Sequence, residues 1–227
     1  MKEQLLASFK HMFKLDPNRL ITEEQVKRLC ESGTDAVIIG GTLGITYEDT
    51  SDLLKMIRKH SILVIQEISD MAAIVPGFDY YFIPLVLNAQ DPDWILNAHQ
   101  KALKVYGEFV NWDQVMVEGY IVLNEESSVA KLTKSRTGLD LEDMIAYSRM
   151  ADQLLKLPIL YIEYSGCYGN PEWIREIKKI VQQVRVFYGG GIDSFRQAKE
   201  MFQYADTIIV GNLIYENFEL ALETVVE

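Results

Sequence analysis

Short apolar runs alternate along the chain with longer segments in which hydrophobic residues recur every three or four positions. Few polar residues interrupt the apolar runs, and such runs are typical of β-strands covered on both faces. The segments with helical spacing lie between and after these strands. Strand and helix therefore alternate from end to end, the pattern of parallel βαβ units.

The pattern predicts eight strands and seven helices. The strands are predicted at residues 11–15, 36–40, 62–66, 80–84, 117–123, 158–163, 184–188 and 207–210. The helices are predicted at residues 23–31, 48–59, 93–106, 141–155, 172–183, 194–203 and 213–226. Eight such units in 227 residues predict an α/β fold with one domain spanning residues 1–227, a (βα)8 TIM-type barrel at the low end of the usual length.

Two connections depart from this regular alternation. The 13 residues between Gln66 and Tyr80 include Pro76 and Gly77, so we expect the helix after the third strand to be reduced or replaced by an extended segment. Residues 124–140 form a longer polar insert after the fifth strand. Because active sites of such barrels lie at the carboxyl ends of the strands, this insert is placed to fold over the site.

Charge and cysteine content exclude several classes of protein. With 22 Lys and Arg against 33 Asp and Glu, the net charge of −11 argues against nucleic acid as a partner. An anionic small ligand must then be held locally, by helix ends, a lysine or a cation. The distant Cys30 and Cys167 fit a reducing cytosol, and neither a signal peptide nor a spanning segment is apparent. We therefore expect a cytoplasmic protein.

Two glycine turns near the carboxyl terminus carry the strongest functional signal. Gly189-Gly190-Gly191 and Gly211-Asn212 each follow a predicted strand and precede a predicted helix. Strand, glycine turn and helix together direct backbone N–H groups at one place, which is a common way to hold a phosphate. In a (βα)8 barrel the loops after the seventh and eighth strands form the usual phosphate site. The sequence thus predicts chemistry on a phosphorylated small molecule.

Other candidate residues also lie at predicted strand ends. Lys14 and Asp16 share one side of the first strand and suit a phosphate and a divalent metal, although a structural ion pair is the alternative. The hydroxyl of Thr42 suits a Mg²⁺ shell of oxygen ligands, or marks only a tight turn. Tyr161 and Glu163 share one face of the sixth strand, and Glu163 is a candidate general base or a solvated carboxylate.

Taken together, these segments resemble the geranylgeranylglyceryl phosphate synthase family, specifically its bacterial heptaprenylglyceryl phosphate synthase branch. The resemblance runs in order along nearly the whole chain. Its segments are residues 13–17 (FKLDP), 32–36 (SGTDA), 40–42 (GGT), 75–79 (VPGFD), 82–84 (FIP), 118–120 (EGY), 161–166 (YIEYSG), 187–192 (FYGGGI) and 205–212 (ADTIIVGN).

The resemblance implies transfer of a polyprenyl group from its diphosphate to the C3 hydroxyl of sn-glycerol 1-phosphate, forming an ether. It also implies a homodimer, and Glu163 as the catalytic base. Asp16 and Thr42 would hold Mg²⁺. The residues that would hold sn-glycerol 1-phosphate are Lys14, Tyr161, Ile162, Glu163, Tyr164, Ser165, Gly166, Gly191, Gly211 and Asn212.

Several points stay open in the sequence. Heptaprenyl is the preferred donor, with geranylgeranyl as the nearest alternative, and an apolar groove beside the barrel is expected to hold the tail. Candidates for its lining are Tyr80, Tyr81, Phe82, Leu85, Val86 and Trp94. A water-insoluble tail also predicts brief contact with the membrane surface. A phosphate-binding barrel isomerase or lyase, or a non-catalytic phosphoglycerol binder, would share the glycine turns.

Overall fold

Eight parallel strands close into a barrel in the computed structural model, which describes residues 2–226. Each strand pairs with its neighbours in the sequence, and β1 pairs with β8 to close the sheet. The strands are β1 His11–Leu15, β2 Ala36–Ile39, β3 Leu63–Glu67, β4 Tyr80–Val86, β5 Val115–Val122, β6 Ile159–Glu163, β7 Arg185–Gly189 and β8 Thr207–Val210. The predicted α/β barrel is therefore confirmed, and the bounds of β1 and β8 are those predicted.

Helices follow the strands on the outside of the barrel, and one short helix precedes β1. The helices are α1 Lys2–Ser8, α2 Glu23–Cys30, α3 Tyr47–Ile57, α4 Asn97–Tyr106, α5 Ser128–Thr133, α6 Leu141–Arg149, α7 Pro171–Ile180, α8 Phe195–Phe202, α9 Leu213–Glu216 and α10 Phe218–Glu223. The sequence pattern missed α1 and α5, both short. It also merged α9 and α10, which are separated at Asn217.

The connection from β3 to β4 lacks a crossover helix, as the sequence predicted. Within the described chain its regular structure is a single 3₁₀ turn, Met71–Ala73. The Gln66 side chain holds the segment in place, because its amide nitrogen donates to the carbonyl of Ala73 at 2.6 Å and its oxygen accepts from the Val75 amide at 3.1 Å. With no helix packed here, the outer face of the sheet beside β4 is left open.

Two apolar cores stabilise the barrel, one inside it and one between the strands and the outer helices. Met12, Ile38, Ile65, Met116 and Phe187 belong to the inner core, and their neighbours along each strand pack outward. This alternation on every strand explains why the strands read as continuous apolar runs. In the part of the chain that the structure describes, every helix falls short of the length and apolar character needed to cross a membrane.

Candidate active site at the carboxyl ends of the strands

A buried ion pair lies at the mouth of the barrel. The ammonium nitrogen of Lys14, on β1, lies 2.6 Å and 2.8 Å from the two carboxylate oxygens of Glu67, on β3. The same nitrogen lies 5.6 Å from the ring centre of Tyr161 and 5.9 Å from that of Tyr120. Burial opposes the charge of Lys14, but Glu67 and Glu163 outweigh it and raise its pKa. Lys14 is therefore a fixed positive charge that faces aromatic rings.

Glu163 ends β6 on the same side of the barrel and is also largely buried. One carboxylate oxygen accepts a hydrogen bond from the Tyr120 hydroxyl at 3.1 Å, and the other accepts from the Ser165 backbone amide. The Tyr161 side chain lies close enough to feel the charge of Glu163. Burial, followed by the charge of Glu163, raises the pKa of both tyrosines, so they stay protonated as donors at neutral pH. These contacts hold Glu163 as an oriented acceptor.

A third carboxyl group, Glu118, lies in the interior close to this cluster. It is fully buried on β5, two residues before Tyr120, and neither of its oxygens has a hydrogen-bond partner among residues 2–226. Burial and the neighbouring charge of Glu67 raise its pKa well above the usual range. Glu118 is therefore a neutral carboxylic acid near neutral pH, because ionising it would place an unpaired charge in the barrel.

The two glycine turns stand side by side at the ends of β7 and β8. Gly191 has a φ of +59°, and a Cβ there would clash with the backbone of Cys167 and Tyr168, so only glycine fits. Gly166, after β6, lies close enough to Asn212 that its own Cβ would be 3.3 Å from the amide nitrogen of that side chain. The loops after β6, β7 and β8 therefore meet, and residues of all three line one cavity.

Asp16 and Thr42 lie after β1 and β2, next to the loop after β8, because β1 pairs with β8. A Cβ on Gly41 would approach a carboxylate oxygen of Asp16 to 2.9 Å, so the glycine leaves room for the carboxylate. Both Asp16 and Thr42 line the cavity. Among residues 2–226, no three His, Cys, Asp or Glu side chains cluster as a metal site. The pair fits Mg²⁺ only as a partial shell, which suits an ion that keeps waters and binds substrate phosphates.

Arg19 is a second cation at this mouth. Its guanidinium stacks over the Tyr215 ring at 3.8 Å and lies 3.4 Å from the side-chain oxygen of Asn212. The Tyr215 hydroxyl in turn accepts from the Asp16 backbone amide at 2.9 Å. Arg19 thus lies between the pair Asp16 and Thr42 and the turn at Asn212. The sequence reasoning missed it because its partners come from the other end of the chain.

One continuous cavity of about 1500 Å³ joins these features to an apolar groove. Sites for a single small ligand are typically about 300–1,000 Å³, so this cavity has space for more than one. The groove runs between α4 and the outer faces of β4 and β5, lined by Tyr81, Ile83, Leu85 and Val117. It reaches Val115 at the amino end of β5, and eight residues of strand span about 25 Å.

The structure brings most of the predicted residues together. Those that line the cavity are Lys14, Asp16, Thr42, Tyr161, Glu163, Ser165, Gly166, Gly191, Gly211 and Asn212. Ile162 and Tyr164 instead pack their side chains into the outer core, as the alternation along β6 requires. Of the predicted groove residues, Phe82 lies in the barrel interior and Tyr80 packs against that inner core, while Tyr81, Leu85, Val86 and Trp94 line the cavity.

Known proteins resemble this chain over nearly its whole length. Residues 4–227 match the PcrB family. Heptaprenylglyceryl phosphate synthase of Geobacillus sp. (strain WCH70) is 49% identical over 97% of this chain and 96% of its own length. The enzyme of the same name from Anoxybacillus flavithermus is 50% identical over 97% of this chain and 95% of its own.

A solved structure shows the same fold at lower sequence identity. The crystal structure of (S)-3-O-geranylgeranylglyceryl phosphate synthase from Thermoplasma acidophilum, in complex with sn-glycerol-1-phosphate, superimposes with a TM-score of 0.83. It is 22% identical, and the match covers 98% of this chain and 95% of that one. At this identity the comparison establishes the shared barrel fold.

Proposed function

The chain belongs to the PcrB family, and we propose that it is a polyprenylglyceryl phosphate synthase. It moves a long polyprenyl group, preferably heptaprenyl, from its diphosphate to the C3 hydroxyl of sn-glycerol 1-phosphate. The names of relatives about half identical to it support this reaction. The structural observation that carries the proposal is the junction of a long apolar groove with a glycine-turn phosphate site, where the oriented carboxylate of Glu163 lies.

The acceptor would bind through the three loops after β6, β7 and β8. Backbone amides at Gly191 and Gly211 suit its phosphate, which needs no buried counter-charge there. Lys14 faces the same cavity next to Gly211 and supplies a fixed positive charge beside the acceptor. Holding the phosphate fixes the position of the C3 hydroxyl, which lowers the entropic part of the barrier.

Glu163 would take the proton of that hydroxyl as the new carbon–oxygen bond forms. The hydrogen bond from Tyr120 and the amide of Ser165 hold its carboxylate in one orientation. The rings of Tyr120 and Tyr161 would face the region where positive charge develops on the allylic carbon. The tyrosine rings stabilise a nearby cation, as their contact with the Lys14 ammonium shows.

Asp16 and Thr42 would hold Mg²⁺ together with the diphosphate of the donor. When bound, the ion neutralises the charge that develops on the leaving diphosphate. Arg19 lies beside this pair and is free to meet the same anion, because the structure gives it no carboxylate partner among residues 2–226. The donor tail would then lie in the groove along Tyr81, Ile83 and Val117.

Mass spectrometry of the products tests the proposal and the donor length together. Purified protein is incubated with Mg²⁺, sn-glycerol 1-phosphate and prenyl diphosphates from geranyl to heptaprenyl. An ether-linked product that forms best with heptaprenyl, and disappears with chelator, supports the whole account. A preference for geranylgeranyl diphosphate would instead make the protein a geranylgeranylglyceryl phosphate synthase. Asp16→Asn, measured over a range of Mg²⁺ concentrations, tests the metal assignment separately.

Two further parts of the proposal follow from the family resemblance. The protein is expected to be a cytoplasmic homodimer that touches the membrane surface briefly. Size-exclusion chromatography with light scattering measures the oligomeric state. A monomer at micromolar concentration would contradict the predicted dimer but not the proposed role of Glu163.

A further inference from the structure

A band of exposed apolar side chains borders the groove along its open side. Exposed fractions are 83% for Phe109, 67% for Leu96 and 55% for Trp112, and Leu103 and Tyr106 lie between them with 46% and 40%. We refer to these five residues as the α4 face. All five line the same cavity as the catalytic residues. Exposed apolar side chains grouped in this way often mark a site of interaction.

The α4 face has no partner elsewhere in the described chain. None of the described side chains of α4 is buried, although the helix spans Asn97–Tyr106. One hydrogen bond anchors it to the barrel, between His99 Nε2 and the carbonyl of Pro84 at 3.0 Å. The helix therefore stands away from β4 and β5 instead of packing on them. Its apolar side lies along the groove, and the edge of that side faces solvent.

We propose that the α4 face docks on the surface of a lipid bilayer and lets the donor tail pass sideways into the groove. This inference rests on the proposed function, because it assumes a donor whose tail resides in the membrane. An amphipathic helix lying in the interface with aromatic residues beside it is a common way for a protein to contact a bilayer. The tail then moves from lipid into the groove without crossing water.

Local charge fits the same partner. The whole chain carries −11, whereas the segment 97–112 has Lys101 and Lys104 against Glu108; Lys101 also pairs with Asp93, and Lys104 is left as the unpaired cation of α4 among residues 2–226. Lysines next to an apolar face are attracted to anionic lipids. The rest of the surface is repelled by them, which orients the protein so that this side approaches first.

A second copy of the chain is a less suitable partner for this face. The α4 face is continuous with the groove, so a protein bound over it would close the side through which a long tail has to enter. A fluid bilayer covers the same apolar area and also supplies the donor. The geometry therefore favours the membrane.

Vesicle flotation without any substrate tests the inference. Wild type, the double variant Phe109→Ser/Trp112→Ser and the control Leu154→Ser are mixed with phosphatidylglycerol and phosphatidylethanolamine vesicles. Leu154 is 73% exposed but lies outside the α4 face, so it matches the loss of an exposed apolar side chain. Wild type and the control are expected to float with the vesicles. The double variant is expected to bind at least about tenfold more weakly, because two large apolar side chains no longer enter the interface.

Two outcomes would overturn the inference. In the first, wild type stays unbound, or the double variant binds as well as wild type. In the second, light scattering shows that wild type is a dimer and the double variant a monomer, which would assign the face to a second copy. Because flotation requires no turnover, vesicle binding by a protein that forms no ether product would refute the proposed function alone. Thermal unfolding of each variant checks that it is folded.

Discussion

The ammonium group of Lys14 is held by both carboxylate oxygens of Glu67, at 2.6 Å and 2.8 Å, across the strands β1 and β3. The pair is more than four-fifths buried, with exposed fractions of 18% and 7%. Lys14 is therefore positioned before any substrate arrives. A lysine held in this way presents its charge to the cavity with little reorganisation, which favours electrostatic stabilisation of an anionic ligand.

Breaking this pair from one side is expected to destabilise the fold. Glu67→Leu leaves the Lys14 charge unpaired in the barrel and should lower the free energy of unfolding by about 3 kcal/mol. The double variant Lys14→Met/Glu67→Leu removes both charges and should recover much of that loss, while remaining unable to bind sn-glycerol 1-phosphate. Urea denaturation with calorimetric binding measures both effects. A double variant as unstable as the single one would show that the pair does not determine the loss.

The buried carboxyl of Glu118 is expected to make stability depend on pH, and Glu118→Gln should remove that dependence. Its carboxyl is protonated in the folded protein, whereas in the unfolded chain it ionises around its ordinary pKa of 4.5. Below pH 4.5 this group therefore does not lower the free energy of unfolding. Above pH 4.5 the free energy of unfolding falls by about 1.4 kcal/mol per pH unit, until the pH reaches the pKa of Glu118 in the folded protein. Glu118→Gln should match wild type at pH 4.5 and exceed it at pH 8. Equal pH slopes for the two proteins would contradict a neutral Glu118.

Gly191 predicts loss of phosphate binding on addition of one methyl group. Its positive φ and the nearby backbone of Cys167 and Tyr168 leave no space for a Cβ. Gly191→Ala should therefore weaken sn-glycerol 1-phosphate binding at least about tenfold. Gly138→Ala is the matched control, because a Cβ there meets nothing within 4 Å. Calorimetric titration that finds equal affinity in both variants would remove this turn from the phosphate site.

His11 predicts acid sensitivity outside the active site. Its ring nitrogens lie 2.9 Å from the Thr34 hydroxyl and 3.2 Å from the Thr224 hydroxyl, and burial lowers its pKa to about 3. Between pH 6.5 and 3 the His11 imidazole is protonated in the unfolded chain but neutral in the folded protein, so the free energy of unfolding falls as the pH falls. By pH 4.5 this amounts to about 3 kcal/mol.

Denaturation at pH 7 and pH 4.5 measures this loss. His11→Gln should lose less stability over this range than wild type, because it removes the group whose pKa is lowered by burial. If His11→Gln and wild type lose the same stability between the two pH values, other groups account for the acid sensitivity.

The fold could be predicted largely from the sequence because each βα unit carries its own signal. Apolar runs of four to eight residues, separated by amphipathic segments and glycine turns, predict a parallel barrel. The reduced β3–β4 connection was evident from its length and from Pro76. The short helices α1 and α5 were not, because six or seven residues are too few for periodicity to show.

The site could be predicted only in part, because its charges meet through barrel closure. Lys14 pairs with Ile38 and Ile38 with Ile65, so Glu67 lies two residues further along on the same face. The sequence around Glu67 does not indicate that its partner is Lys14. Glu118 and Arg19 were missed for the same reason. The groove is open because α4 stands away from the sheet, and the local sequence pattern does not predict this position of the helix.

The most direct test of the account is transfer of label from sn-glycerol 1-phosphate into an organic phase by heptaprenyl diphosphate and Mg²⁺. The account predicts transfer by wild type, none with glycerol 3-phosphate, and a loss of about 10²–10⁴-fold in Glu163→Gln. Transfer that continues at the wild-type rate in Glu163→Gln would contradict its role as the base. Acceptor binding without transfer from any prenyl diphosphate would contradict the proposed reaction itself.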